Sequence, residues 1–265
     1  MSITRVSAYS IALLIVSKFA FAAQLNVGSF NINSSKALPQ TIAQQIVDHD
    51  NIDIWGLAES SDEWSGKAWV VLNSHHKNVA IIKGTSGFDR SRLQILYNTD
   101  KFQLISSTEL DDINVNGIVR SPLVARFKDL ETNQQFIFMV NHLYRKKDDE
   151  RANQARKINL WTRQQTLPVI AVGDYNFDLS PSDITQHGAG YDEIVRDHVF
   201  TWIQPNVLFP TQCSHYNSIL DFVFVSDKLN YTSASSNISY TDFSYCNPSN
   251  NFSDHRPVTA TIEWG

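Results

Sequence analysis

Several catalytic signatures are missing from this 265-residue chain. It has no H-E-x-x-H, no G-x-S-x-G, no Walker-type glycine loop and no Cys/His cluster. That removes the zincin, nucleophile-elbow, P-loop and zinc-finger chemistries. Past residue 22 there is no apolar run long enough to span a bilayer. There is also no internal repeat, low-complexity tract or long linker. Positive charge is scarce, with 22 Lys and Arg against 27 Asp and Glu for a net charge of -5. Such a chain lacks the basic field of a tight, non-specific DNA binder. Any grip on a polyanion must be local or mediated by a bound cation.

What is present is a globular composition, 42% hydrophobic and 18% charged, enough for a sizeable core. The N-terminus reads as a signal peptide over residues 1–22. Arg5 precedes the apolar run "IALLIVSKFAFA", which ends in the A-x-A pattern Ala20-Phe21-Ala22. Lys18 interrupts that run, and an uncleaved anchor or a buried helix is the alternative. Cleavage near Ala22 yields a secreted or periplasmic protein, residues 23–265, with no stable membrane anchor. Losing Arg5 and Lys18 and no acid takes the net charge from -5 to -7. The only cysteines are Cys213 and Cys246. In an oxidising compartment an even pair invites a disulfide, with two free thiols as the alternative. A monomer is expected.

Along the mature chain, strand-like and helix-like pieces alternate. "LNVGSFNI" (25–32) and "IDIWGLAE" (52–59) read as strands around a helical "LPQTIAQQIVDHD" (38–50). A β-rich stretch follows, punctuated by "GTSG", "NTD", "NVNG" and "ETNQ". A polar helix is expected from about Asp148 to Gln165, N-capped by Asp148 or Asp149, with Ala152, Ala155, Ile158 and Trp161 facing inward. "PVIAVGDYN", "ILDFVFVSD" and "PVTATIEW" read as later strands, and Trp202 as a core residue. Strands outnumber helices, and helices connect some of them. The expected fold is one α/β domain of two packed sheets with helices outside.

The ends of these strands carry the chemistry. Asn31, Glu59, Asn141-His142 and Asp174 (with Asn176 beyond it) close four apolar segments, while Asp221 and Asp254-His255 open two more. Six such termini point to one polar site on a rigid rim. Hard oxygen donors such as Glu59, Asp254 and Asn31 suit Mg2+ or Mn2+ better than zinc, with Ca2+ a further possibility. Two histidines among carboxylates supply a base, its orienting partner and an acid. Together these fit metal-assisted hydrolysis of a phosphoester.

At these residues the chain resembles the endonuclease/exonuclease/phosphatase superfamily. The matching elements, in order, are "SFNI", "GLAES", "VNHL", "VGDYN", "ILDFVF" and "SDHRPV", from Ser29 to Val258. The resemblance implies a four-layer α-β-β-α sandwich with the site at one rim. Within the superfamily the chain is most similar to secreted deoxyribonuclease I-like enzymes, through "IVRSPLVARF", "VFTWIQP" and His142 in "NHL".

The resemblance also implies roles. Glu59, with Asn31 and Asp254, would hold the metal. His255, oriented by Asp221, would face His142 across the phosphate, and the sequence leaves open which acts as base. Asp174 would orient or deprotonate the attacking water, Asn176 would bond a phosphate oxygen, and Arg120 would clamp phosphate. The pattern departs once. Deoxyribonuclease I-like enzymes carry a glutamate before the strand resembling "LQILY"; here "GFDRSRLQILYN" has none, and Asp89 is the nearest acid. The expected function is a DNA endonuclease, with a phosphatase or a lipid phosphodiesterase (sphingomyelinase-like or inositol-phosphate) as the alternative.

Overall fold

Period-two alternation sends one set of strand side chains into a central core and the other set under helices. The computed structural model describes residues 23–33, 35–61, 78–87, 91–213, 217–246 and 251–265, the last residue before 247 by its backbone only. The leader expected over 1–22, and Asp89, lie outside the described residues.

The elements run β1 (Ala23–Asn31), α1 (Pro39–Val47), β2 (Ile54–Ser61), β3 (Val79–Lys83), β4 (Ser91–Asn98), β5 (Phe102–Glu109), β6 (Leu123–Asp129) and β7 (Gln135–His142). They continue as α2 (Asp148–Arg163), β8 (Val169–Leu179), α3 (Ala189–Val195), β9 (Phe200–Trp202), β10 (Ile219–Ser226), β11 (Tyr231–Ile238) and β12 (Val258–Trp264). Two six-stranded sheets form, in the orders β11-β12-β1-β2-β4-β3 and β5-β6-β7-β8-β10-β9. The β1–β2 and β7–β8 pairs are parallel and the other pairs antiparallel, so both sheets are mixed, as expected.

The sheets pack face to face on Leu25, Val27, Ile54, Ile95, Phe138, Val140, Ile170, Val172 and Val223. α1 covers the outer face of the first sheet through Ile42 and Ile46 against Trp55, Leu57 and Leu96. α2 and α3 cover the second through Ala155, Ile158 and Ile194 against Met139, Ala171 and Phe222. Trp202 belongs to that same cluster. The four α-β-β-α layers follow.

Two expectations about α2 are corrected. Its N-cap is Lys147, not Asp148 or Asp149. Asp148 is already inside the helix, its carboxylate 2.7 Å from Arg151 Nη2 one turn on. The helix stops at Arg163 rather than Gln165, because Gln165 N bonds the carbonyl three residues back, on Thr162. Ala155 and Ile158 are buried, but Ala152 and Trp161 only partly so. The rest of the buried face is polar: Arg151, Gln154, Asn159 and Thr162. Periodicity in apolar residues cannot reveal such a face, because Arg151, Gln154 and Asn159 are buried to bond neighbouring carbonyls and amides.

Candidate active site

Four strands lining the central core each carry a polar side chain into the site. Leu25 and Val27 face that core, and Asn31 keeps their parity. Phe138 and Val140 lead likewise to His142, and Ile170 and Val172 to Asp174. Antiparallel to β8, β10 carries Val223 and Val225 on the same face as Asp221. Register then sets His142 opposite Asp174 on one side, and Asp221 opposite Asp174 on the other. Gly173 makes this possible. Its φ is +141°, and a Cβ there would lie 2.0 Å from the Asn141 carbonyl oxygen.

Glu59 arrives differently. Straight alternation would place it with Leu57 on the helix-covered face. The β2–β4 register slips between Leu57 and Ser60, and Glu59 sits at φ +54°. A bulge of this kind re-aims a side chain. Glu59 Oε1 comes to rest 3.2 Å from Asn31 Nδ2 and 3.9 Å from His142 Nε2.

Asp174 is the hub, only 2% exposed. Its Oδ2 accepts a hydrogen bond from Asn31 Nδ2 at 3.0 Å and lies 3.5 Å from His142 Nε2 and 3.8 Å from His255 Nε2. Its Oδ1 accepts from the Asn176 amide at 3.1 Å. Burial raises the pKa of this carboxyl, with a further push from Asp221, against the opposing pull of His142, His255 and Asn31.

His255 Nδ1 is 2.7 Å from Asp221 Oδ2, both groups buried. Burial disfavours the charged ring. The charges of Asp221 and Asp174, the Asp221 hydrogen bond and Asp254 together outweigh it and push the imidazole pKa up to about 10. The loop carrying His255 is pinned on three sides. Ser253 Oγ donates to the Asn31 carbonyl (2.6 Å) and accepts from His255 N (3.0 Å). Thr211 accepts Arg256 N at its carbonyl (2.7 Å), and its Oγ1 accepts the amides of Leu220 and Asp221 (2.8 and 3.1 Å). Pro257 then enters β12, and its carbonyl accepts Ser239 N at 3.0 Å. Thr211 and Ser253 thus couple His255 to Asp221 and Asn31. Their sequence signal is weak, since isolated hydroxyl residues in loops are commonplace.

The remaining candidates sit around this hub. Asp254 Oδ1 accepts from Asn33 Nδ2 at 2.8 Å, and Asn33 N donates to Asn31 Oδ1 at 3.1 Å. Asn33 was not singled out in the sequence, yet it links two of the expected metal ligands. Asn176, at φ +52°, donates through Nδ2 to the Leu143 carbonyl at 3.1 Å, so one amide hydrogen is committed to the turn after β7. Arg120 Nε donates to the Ser91 carbonyl at 3.0 Å, at the end of β4 that pairs with Ser61 beside the Glu59 bulge.

Metal-binding atoms of Asp174, Asp221 and His255 all lie within 4.8 Å of one another. Asp221 is already spent on the His255 ring in that trio. Glu59 and Asp174 lie 3.2 and 3.0 Å from Asn31 Nδ2, whereas Asp254 reaches Asn31 only through Asn33, so the expected trio of Glu59, Asn31 and Asp254 is not brought together as one cluster among the described residues.

A buried polar cluster is thus assembled from both sheets, and the chain matches a family model described as "Endonuclease/Exonuclease/phosphatase family" over residues 24–255. The chain belongs to the endonuclease/exonuclease/phosphatase family. Members of this family hydrolyse phosphoester bonds, and this chain is an enzyme of that kind. No curated protein sequence matches it significantly. A family protein from Bacteroides thetaiotaomicron superposes with a TM-score of 0.65 at 19% identity, covering 93% of this chain and 97% of that one. A mannosyl-6-phosphatase from Bacteroides thetaiotaomicron gives 0.62 at 20%, covering 91% and 100%. D. rerio TDP2 complexed with single-strand DNA product gives 0.70 at 14%, covering 91% and 99%. At these identities the neighbours share the family's fold.

Proposed function

We propose that this family member is an exported, Mg2+-dependent phosphodiesterase acting on nucleic acid, most specifically a DNA endonuclease. The observation that carries the reading is the convergence of His142 Nε2 and His255 Nε2, 3.5 and 3.8 Å away, on Asp174 Oδ2. A nucleic-acid-bound neighbour, TDP2, supports the substrate class.

Glu59, Asn31 and Asp254 hold the cation in this reading. When bound, it neutralises charge on the scissile phosphate. Asp174 orients the attacking water and accepts its proton, as a buried carboxylate with a raised pKa suits a base. His255, kept cationic by Asp221, stabilises the developing negative charge and gives its Nε2 proton to the departing oxygen. His142 bonds a phosphoryl oxygen from the opposite side, and Asn176 and Arg120 add donors at the rim. The family resemblance is closest, in this reading, to deoxyribonuclease I-like enzymes. Export follows from cleavage near Ala22, leaving residues 23–265 as a monomeric domain. A Cys213–Cys246 bridge accompanies it in this reading, as expected for an even pair of cysteines in an oxidising compartment.

A second reading, phosphomonoester hydrolysis, is favoured by the mannosyl-6-phosphatase neighbour. The two separate in one experiment. Plasmid DNA, RNA, sphingomyelin vesicles and a sugar phosphate are incubated with the enzyme in Mg2+ or EDTA. Nicking of DNA that EDTA and His255→Ala both abolish supports the first reading. Hydrolysis confined to the sugar phosphate or the lipid overturns it.

A further inference from the structure

Two loops meet beside the His255–Asp221 pair. One joins β9 to β10, the strand that carries Asp221, and the other joins β11 to β12 and carries His255. A bridge between Gln212 and His255 and a 2.6 Å bond from Cys213 N to the Asp254 carbonyl hold them together. Arg256 lies between them, 1% exposed. Its guanidinium donates to the carbonyls of Tyr240 (2.9 Å) and Pro210 (3.0 Å) and stacks 4.9 Å over Phe209 and 5.6 Å over Tyr245. Phe209 in turn packs against Phe243, centroids 5.6 Å apart. At 79%, Phe243 has the highest exposure of the large hydrophobic side chains among the described residues.

A braced aromatic ring is thus presented to solvent where both halves of the catalytic pair are anchored. On the other side of Asp174 from Asp221, a short basic run precedes the acidic start of α2. β7 leads from His142 into Arg145, Lys146 and Lys147, all exposed. α2 secures that segment: Arg151 Nη1 donates to the carbonyls of Tyr144 and Arg145, and Gln154 Oε1 accepts Tyr144 N at 2.8 Å. β8 alone separates β7 from β10, so the segment after β7 and the Asp221 strand flank Asp174 on its two sides.

We infer that Phe243 is a stacking step for an unpaired nucleobase beside the scissile phosphate, with the same strand's backbone crossing the site toward Arg145–Lys147. The inference rests on the phosphodiesterase reading above. Stacking needs one open ring face, which every base can use whatever its sequence, provided it is not already stacked in a duplex. A lipid surface fits less well. Phe243 is flanked by exposed Asp242 and Ser244, and the Asp242 carboxylate accepts Ser244 N at 2.8 Å. Insertion into a bilayer interface favours contiguous apolar side chains among basic ones.

The test compares single-stranded oligonucleotides, duplex oligonucleotides and sphingomyelin vesicles with a small diester, bis(p-nitrophenyl) phosphate, using the full chain in Mg2+. Phe243→Ala should lower selectivity for the single strand over the small diester about tenfold, through KM, as loss of one base–aromatic stack implies. Phe243→Trp should restore it. A selectivity within twofold of the parent, in a variant with the parent's melting temperature, overturns the stacking step and leaves the phosphodiesterase reading standing. An equal loss on single strand and duplex overturns the unpaired base. A loss seen only on sphingomyelin vesicles assigns the ring to lipid and overturns the inference. Failure of the parent enzyme on every oligonucleotide defeats the underlying reading instead.

Discussion

Asp221 and His255 are separated by 34 residues, yet Asp221 Oδ2 lies 2.7 Å from His255 Nδ1 in a buried pocket. The bond fixes which ring nitrogen faces the site: Nε2 points to Asp174. Asp221→Asn keeps the shape and removes the charge. Turnover should fall about 10^2- to 10^4-fold with little change in KM, since an uncharged partner neither fixes the ring's tautomer nor stabilises its cation. Steady-state kinetics checks this.

The same pair sets a pH dependence in the metal-free protein. The folded-state pKa of His255 is raised from 6.5 to about 10. Its contribution to stability is therefore fully present below 6.5 and lost as pH rises through about 10. Asp174, also raised, contributes in the same direction at lower pH. Thermal unfolding in EDTA should show the melting temperature falling between pH 7 and 10, and Asp221→Asn should flatten that slope.

Glu109 is a positioning residue for Arg120. Its carboxylate accepts Thr85 N (2.8 Å), Thr85 Oγ1 (2.6 Å), Ser86 N (3.1 Å) and Ser86 Oγ, while Ser86 Oγ accepts Ser121 N next to Arg120 (2.8 Å). Burial would raise its pKa, but these four bonds prevail and lower it. Its stabilising effect is thus present above about 4.5 and lost as pH falls through the folded value. Glu109→Gln should destabilise by about 1–3 kcal/mol and raise KM a few-fold through a loosened Arg120. Denaturant melts and substrate titrations read the two effects.

Gly173→Ala should be among the most damaging single changes outside the polar cluster. The added methyl would meet the Asn141 carbonyl at 2.0 Å, on backbone that carries His142 and Asp174. A loss of about 3 kcal/mol or more is expected in urea unfolding, along with activity.

Much of this was legible because strand alternation and strand ends are local signals. Asn31, His142, Asp174 and Asp221 each keep the parity of their apolar neighbours, so a strand reading already places them on one rim. Glu59 is legible as the carboxylate closing an apolar run and through the resemblance of "GLAES", but parity alone points it under α1 and the bulge corrects it. Asn33, Thr211 and Ser253 were not singled out because their role lies in long-range bonds, 221 residues apart for Asn33 and Asp254. The α2 cap departs from cap preferences because Asp148 pairs with Arg151, a competition that those preferences do not contain.

The central claim is that the rim built around Asp174 is the reacting centre. Asp174→Asn keeps the volume and an acceptor for Asn31 Nδ2, which lies 3.0 Å from the present carboxylate. Single-turnover cleavage of DNA in saturating Mg2+ tests the claim directly. The account predicts a rate about 10^2- to 10^4-fold below the parent in a protein that still unfolds cooperatively. A folded Asp174→Asn protein that cleaves at a rate within about fivefold of the parent, well short of that general-base loss, contradicts it.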